Sequence, residues 1–182
     1  MKYLYVGGLG PGVDGEALAR IRESVTERFE MPAREIELPA IEFAYDPDRR
    51  QHQSIAVLEM LASAYPADLG KLVGVTERDL FVPVLTFVFG QAQLNGRIAV
   101  VSLARLRQEF YGLPENREVF LERVVKEALH ETGHMFGMVH CAGGSCAMSL
   151  ATNVRHIDRK RSGFCPSCEG LLRRRRAGEQ GL

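Results

Sequence analysis

Hydrophobic and polar positions change period several times along this 182-residue chain. Residues 2–7 alternate and include Tyr3, Tyr5 and Val6, which predicts a strand. The run Gly7-Gly8-Leu9-Gly10-Pro11-Gly12 closes it. That run lacks the Lys-Ser/Thr of a phosphate loop and does not match the dinucleotide fingerprint, so it reads as a tight strand-to-helix turn. Over residues 15–29, Leu18, Ile21, Val25 and Phe29 recur at helical spacing behind Asp14, a capping residue. A short strand is predicted over 34–38, then a loop with Tyr45-Asp46-Pro47-Asp48. A second helix is predicted over 51–64, with Ile55, Leu58, Leu61 and Ala62 on its apolar face. Residues 71–76 and 84–93 are apolar runs of strand length. The second leads into Leu94-Asn95-Gly96-Arg97, and Asn-Gly is a strong hairpin signal, so 98–103 is read as the return strand. A long helix is predicted over 115–136, where Phe120, Leu121, Val124, Val125, Ala128 and Leu129 form one stripe. Glu115 and Glu118 suit the positive end of its dipole. This order predicts an α/β (α+β) domain with a mixed, twisted sheet.

At the far end of that helix, residues 130–140 read His-Glu-Thr-Gly-His-Met-Phe-Gly-Met-Val-His, a complete HExxHxxGxxH pattern. His130 and His134 stand one helical turn apart, so both imidazoles face one metal ion. Glu131 lies beside them, where a carboxylate can take a proton from zinc-bound water. Gly137 stands where the chain leaves the helix, because glycine accepts the positive φ of a C-terminal cap. The turn brings back His140 as a third ligand. Three protein ligands leave a fourth position for water, which is the catalytic pattern. Neutral imidazoles leave the charge of the ion uncompensated, and zinc so held lowers the pKa of water from about 15.7 to around 7.

The chain has four cysteines, Cys141, Cys146, Cys165 and Cys168, in two short-spaced pairs. No apolar run is long enough to span a membrane, and the first six residues are too short and strand-like for a signal peptide, so we expect a cytoplasmic protein with no membrane partner. In a reducing compartment the four thiols favour a closed, structural zinc site over disulfides. With the histidine site this makes two Zn2+ per chain. Lys/Arg and Asp/Glu number 23 each, but residues 155–182 carry eight of the former and three of the latter, a net of +5 against −5 for the rest. Arg173–Arg176 is read as a solvated tail; without interleaved aromatics it is weak evidence for nucleic acid. Gly163 and Pro166 predict little regular structure near it. We read 1–182 as one domain. Residues 1–136 form a sheet-and-helix part ending in the active-site helix, and 137–182 form a short zinc-stapled part. We expect a monomer.

Cys141 directly follows the third histidine, and Cys146, Met148 and the Cys165/Cys168 pair come after it. The long histidine pattern is similar to that of the metzincin metallopeptidases. The added order HC, four residues, C-x-M, a gap and CxxC resembles the archaemetzincins. Sixteen residues separate Met148 from Cys165, one fewer than in that family's pattern. The resemblance covers residues 130–168. It implies a metzincin-like fold, peptidase activity, a four-cysteine zinc site, and Met148 as a hydrophobic floor under the histidine rings. Thr152 and Asn153 would then shape the specificity pocket. The substrate would be a peptide or unfolded polypeptide bound as an added strand, and Phe87, Val88, Phe89 and Gly90, with Gln91 and Ala92, form the candidate edge. The competing expectation is a zinc-stabilised binding module without turnover, which gives no reason for Glu131. His52 and His156 have no partner spacing.

Overall fold

The structure is a computed structural model that describes residues 2–63 and 66–179. In chain order its elements are β1 (Tyr3–Gly8), α1 (Gly15–Phe29), β2 (Ala33–Glu35), β3 (Tyr45–Asp46), β4 (Gln51–Gln53), α2 (Ser54–Leu61), β5 (Leu69–Thr76), β6 (Leu80–Phe81), β7 (Gly90–Ala92), β8 (Ile98–Ser102), α3 (Arg117–Met135), α4 (Val154–Arg159) and α5 (Pro166–Glu179). Short 3-10 turns join several of them. A five-stranded sheet runs β2-β1-β5-β8-β7, parallel except for the edge strand β7. A small second sheet runs β3-β4-β6.

Strand alternation divides the large sheet between two cores. Leu4, Val6, Val73, Val75, Ala99 and Val101 point toward α1 and α3. Tyr5, Leu72, Ile98 and Val100, one residue out of phase, pack with Val57, Leu58 and Leu61 of α2. The central strand β5 is covered on both faces and buried throughout, as expected of a parallel strand between helices. Asp14 caps α1 as its sequence suggests, accepting from the Ala17 amide at 3.0 Å. It is also gripped by Arg117 of α3, which pulls its carboxyl well below the usual range, chiefly through that hydrogen bond. The starts of α1 and α3 are thereby tied together. Asn116 caps α3 at the Val119 amide.

Several predicted elements differ. The strand of 34–38 is β2, ending at Glu35, and continues only as an isolated bridge between Leu9 and Leu38. The helix of 51–64 begins at Ser54, because 51–53 pair as β4; residue 64 lies outside the described residues. The long run 84–93 is a strand only over Gly90–Ala92. The predicted irregular end is a 14-residue helix, α5. Pro166 starts it, since proline suits a first helical turn that needs no amide donor. Arg173–Arg176 therefore lie on a helix rather than in a tail, and Arg176 pairs with Glu30 at the end of α1.

Candidate metal centre and catalytic cleft

The last turn of α3 sets His130 and His134 on one face, their Nε2 atoms 3.1 Å apart. Each ring is locked from behind. His130 Nδ1 meets the Ala147 carbonyl at 2.8 Å, and His134 Nδ1 meets the Met138 carbonyl at 2.7 Å. A carbonyl can only accept, so both Nδ1 atoms carry the proton and both Nε2 lone pairs face forward. The helix then ends in a Schellman turn. The Gly137 amide bonds to the His134 carbonyl at 2.9 Å, and the Met138 amide to that of Gly133 at 3.0 Å. Gly137 takes φ 76°, which a side chain would resist. The turn returns His140, whose ring centre is 5.2 Å from that of His130 and 5.0 Å from that of His134. Burial lowers the pKa of all three imidazoles, most of all for His130.

The hairpin between β7 and β8 secures the same helix end. Asn95, at φ 54°, donates its amide to the His134 carbonyl at 2.8 Å. The Lys71 ammonium, buried in β5, donates to the carbonyls of Met135 and Gly96, both at 3.0 Å. A cation at a helix C-terminus is favoured by the dipole.

One potential ligand atom from each histidine lies within 4.8 Å of the others. Neutral imidazole nitrogens so converged suit a tetrahedral zinc ion at Zn–N of about 2.0–2.1 Å. The four cysteine sulphurs form a second cluster of the same closeness. All four are free thiols, and Cys141 Sγ lies 3.8 Å from Cys165 Sγ. That is far beyond an S–S bond, and it matches the edge of about 3.8 Å expected for a tetrahedron with Zn–S of about 2.3 Å. Backbone amides of Gly143 and Cys165 point at Cys141 Sγ and Cys146 Sγ. The amide of Cys168 helps bring the Cys165 thiol down to about 7, whereas burial pushes the Cys146 and Cys168 thiols up. This donor set fits a thiolate-bound cation.

Met148 is fully buried, its thioether beside Gly133 of α3. A Cβ on Gly133 would lie 2.4 Å from its sulphur, so glycine there makes room for it. The Met148 carbonyl accepts from the Cys141 amide at 2.9 Å, joining this buried residue to the cysteine cluster.

Glu131 sits at the base of a cleft of about 790 Å³, with Phe87, Phe89, Leu94, Val139 and Leu150 on its walls. Burial raises its carboxyl well above the usual range, and neighbouring Glu127 raises it further. Gly90 of β7 lies directly against it; a Cβ there would stand 2.7 Å from Glu131 Cγ and 2.8 Å from Oε1. Glu127 also lines the cleft and accepts from Lys160 Nζ at 3.0 Å, both side chains almost wholly buried. Nearby, Arg123 holds Asp158 with bonds of 2.7 and 2.9 Å. The two ion pairs fasten the end of α4 to α3.

The predicted edge is only partly a strand. Val88 is tied by its amide to the Leu80 carbonyl at 2.9 Å, and Phe87 packs edge-on against Phe89. Arg49 donates to the carbonyls of Leu85 and Thr86. These residues form a folded lip above the cleft, which explains an apolar run that is not a continuous strand. Within β7, Gln91 opposes Val100, and the amides of Ser102 and Gln93 reach Phe89 and Ile98 carbonyls. By antiparallel alternation, the amides and carbonyls of Gly90 and Ala92 turn away from β8, toward the cleft. His52 lies in β4 and His156 in α4, neither in the cluster. Thr152 lines the cleft, whereas Asn153 caps α4.

Sequence reasoning passed over Glu127, Lys160 and Lys71. Glu127 carried a signal, since it stands one helical turn before Glu131. Lys160 carried none, being 33 residues away from its partner.

The profile of peptidase family M54 matches residues 20–174. The chain belongs to that family, whose members are the archaemetzincins. As an archaemetzincin it is a zinc-dependent peptidase. It is 41 % identical to the archaemetzincin of Methanocaldococcus jannaschii over 159 residues, 86 % of this chain and 85 % of that one. Its fold is similar to the crystal structure of archaemetzincin from Methanopyrus kandleri, with a TM-score of 0.84, 36 % identity, and 96 % and 94 % of the two chains covered. It also resembles a zinc-dependent peptidase from Methanocorpusculum labreanum, with a TM-score of 0.81 and 31 % identity over 93 % of this chain and 99 % of that one. No described helix is long and apolar enough to cross a membrane.

Proposed function

We propose that His130, His134 and His140 hold a catalytic zinc ion, that Glu131 is the general base of peptide-bond hydrolysis, and that Cys141, Cys146, Cys165 and Cys168 hold a second, structural zinc. When bound, the catalytic ion supplies a Lewis acid that acidifies water and polarises the scissile carbonyl. The three imidazoles, neutral and fixed by Ala147 and Met138 in two cases, present lone pairs without offsetting the charge of the ion. Glu131 takes the proton from the attacking water and passes it to the leaving amine. Burial, and then the charge of Glu127, raise its pKa; a divalent ion beside it would favour the carboxylate needed for proton abstraction.

The substrate lies extended along β7. Gly90 and Ala92 offer it backbone donors and acceptors, which give affinity without demanding one sequence. Phe87, Phe89 and Leu150 exclude water from the two sides. Gly133 and Met148 seat the histidine helix, and Gly137 returns His140. We assign the protein to peptide or unfolded-polypeptide substrates, acting as a monomer in the cytoplasm.

The observation that carries this reading is the convergence of three histidine side chains beside a buried carboxylate in one cleft. Purified protein is assayed on a peptide library before chelation, after chelation, and after zinc is restored. The reading expects cleavage that disappears and returns with zinc. Cleavage that persists in metal-free protein would reject it.

A further inference from the structure

The reaction just described needs metal ligands and an extended substrate held at one spacing, yet the two ride on separate elements. His130 and His134 stand near the end of α3. The substrate edge β7 leads through Leu94, part of the cleft wall, into the turn at Asn95-Gly96. A displacement of about 1 Å between reacting parts can cost about 10²-fold in rate. The join between this hairpin and the helix end therefore matters to the reaction.

Lys71 makes that join. It is the one charged residue of β5 and is 5 % exposed. Its ammonium donates at 3.0 Å to the carbonyl of Met135, the residue after His134, and at 3.0 Å to the Gly96 carbonyl in the turn. It also lies 4.6 Å from the ring centre of Phe136, which closes α3. The Asn95 amide adds a bond from the same turn to the His134 carbonyl.

Stability alone is a poor reason for a lysine here. Leu69, Leu72, Val73 and Val75 of the same strand are apolar and almost wholly buried. Taking an ammonium out of water is costlier than burying an aliphatic side chain of its length. What the ammonium adds is direction, since its three donors can reach carbonyls on two elements at once. A methionine would fill the volume and reach neither.

We propose that Lys71 is a positioning residue of the peptidase reaction. Acting through Met135 and Gly96, it holds the ligand end of α3 and the substrate edge β7 at the spacing that lets a bound peptide reach the metal. The proposal rests on the peptidase reading and adds to it a residue that is not among the described residues lining the cleft. A ligand that touches the metal alone does not sense this spacing. One that engages metal and strand together does, because its second contact forms only if the geometry allows both.

The test compares zinc-loaded wild type, Lys71→Met and Lys71→Gln at a temperature well below the melting point of each. Two probes are titrated by calorimetry. Acetohydroxamate ligates zinc alone. A hexapeptide whose central peptide bond is replaced by a phosphinate ligates zinc and lies along β7. In both variants acetohydroxamate should bind within about twofold of wild type, and the phosphinic peptide about tenfold or more weaker. The kcat on the matching peptide should fall by about tenfold or more. A lowered melting point with unchanged affinities and kcat would overturn the proposal, since that is the mark of a residue serving stability alone. Equal weakening of both probes would overturn it too, by placing the damage in the metal site. Failure of both variants to fold would assign Lys71 to the fold and likewise reject a positioning role. The peptidase reading fails separately, if zinc-loaded wild type binds the phosphinic peptide but hydrolyses no peptide; the spacing role is then read from the affinities.

Discussion

Replacing Gly90 with alanine adds one methyl group where the catalytic carboxylate meets the edge strand. The new Cβ would stand 2.7 Å from Glu131 Cγ, 2.8 Å from its Oε1 and 2.7 Å from the Val100 carbonyl oxygen. Carbon contacts are comfortable at about 3.5–4.0 Å, so the overlap is roughly 1 Å. There are two ways to relieve it. Glu131 can swing away from its place beside the histidines, or β7 can lift from β8 at the Gly90–Val101 pair. Overpacking of this kind costs about 1–3 kcal/mol of stability, and a displacement of about 1 Å in a reacting group can cost about 10²-fold in rate. We therefore expect Gly90→Ala to lower kcat/KM on peptides by about 10²-fold. The three histidines are untouched, so zinc content should match wild type. The assay is peptide hydrolysis with zinc measured in the same samples and a thermal melt of each. Wild-type kcat/KM in zinc-replete Gly90→Ala would refute the argument that this glycine exists to seat Glu131.

Other outcomes follow from named contacts. Lys160→Met strips the partner from buried Glu127 and should destabilise the fold by about 3–5 kcal/mol, read from denaturant unfolding; the Glu127→Leu, Lys160→Met pair should recover most of that loss. Asp14→Ala removes both the α1 cap and the Arg117 clamp and should cost about 1–3 kcal/mol at neutral pH. Because the Asp14 pKa is depressed in the fold, its contribution is complete above its ordinary value of 3.8 and fades as pH falls below it. Unfolding curves of wild type and Asp14→Ala should therefore converge in acid, and a gap that stays constant with pH would contradict the clamp. Fully loaded protein should hold two zinc ions; timed chelation should empty the histidine site first, since its fourth position is open to competing ligands while four thiolates close the other. Cys165→Ser should lower the zinc content, and an unchanged content would count against the structural site.

The chemistry of this chain is local in sequence and therefore legible there. The two histidines, Glu131 and Gly137 obey helix spacing and helix-end geometry, both readable within eleven residues. The cap at Asp14, the stripe on α3 and the turn at Asn95-Gly96 are legible for the same reason. What eluded the sequence depends on partners far along the chain. Residues 84–89 have a strand's composition but bend into a lip, because Arg49 takes the Leu85 and Thr86 carbonyls and Leu80 takes the Val88 amide. The helix α5 was hidden by four arginines that blur its apolar side, though Leu172 is buried. Gly90 shows no sign in the sequence of its approach to Glu131, where a Cβ would stand 2.7 Å from the Glu131 Cγ.

The central claim is that Glu131 moves the proton while the histidines hold the metal. Glu131→Gln separates the two roles, because the amide keeps the shape of the side chain and cannot accept that proton. Zinc content and peptide hydrolysis should be measured on one preparation of the variant beside wild type. The account predicts equal zinc and a loss of hydrolysis of at least about 10²-fold, the lower end expected for removing a general base. Hydrolysis at the wild-type rate by zinc-replete Glu131→Gln would contradict it.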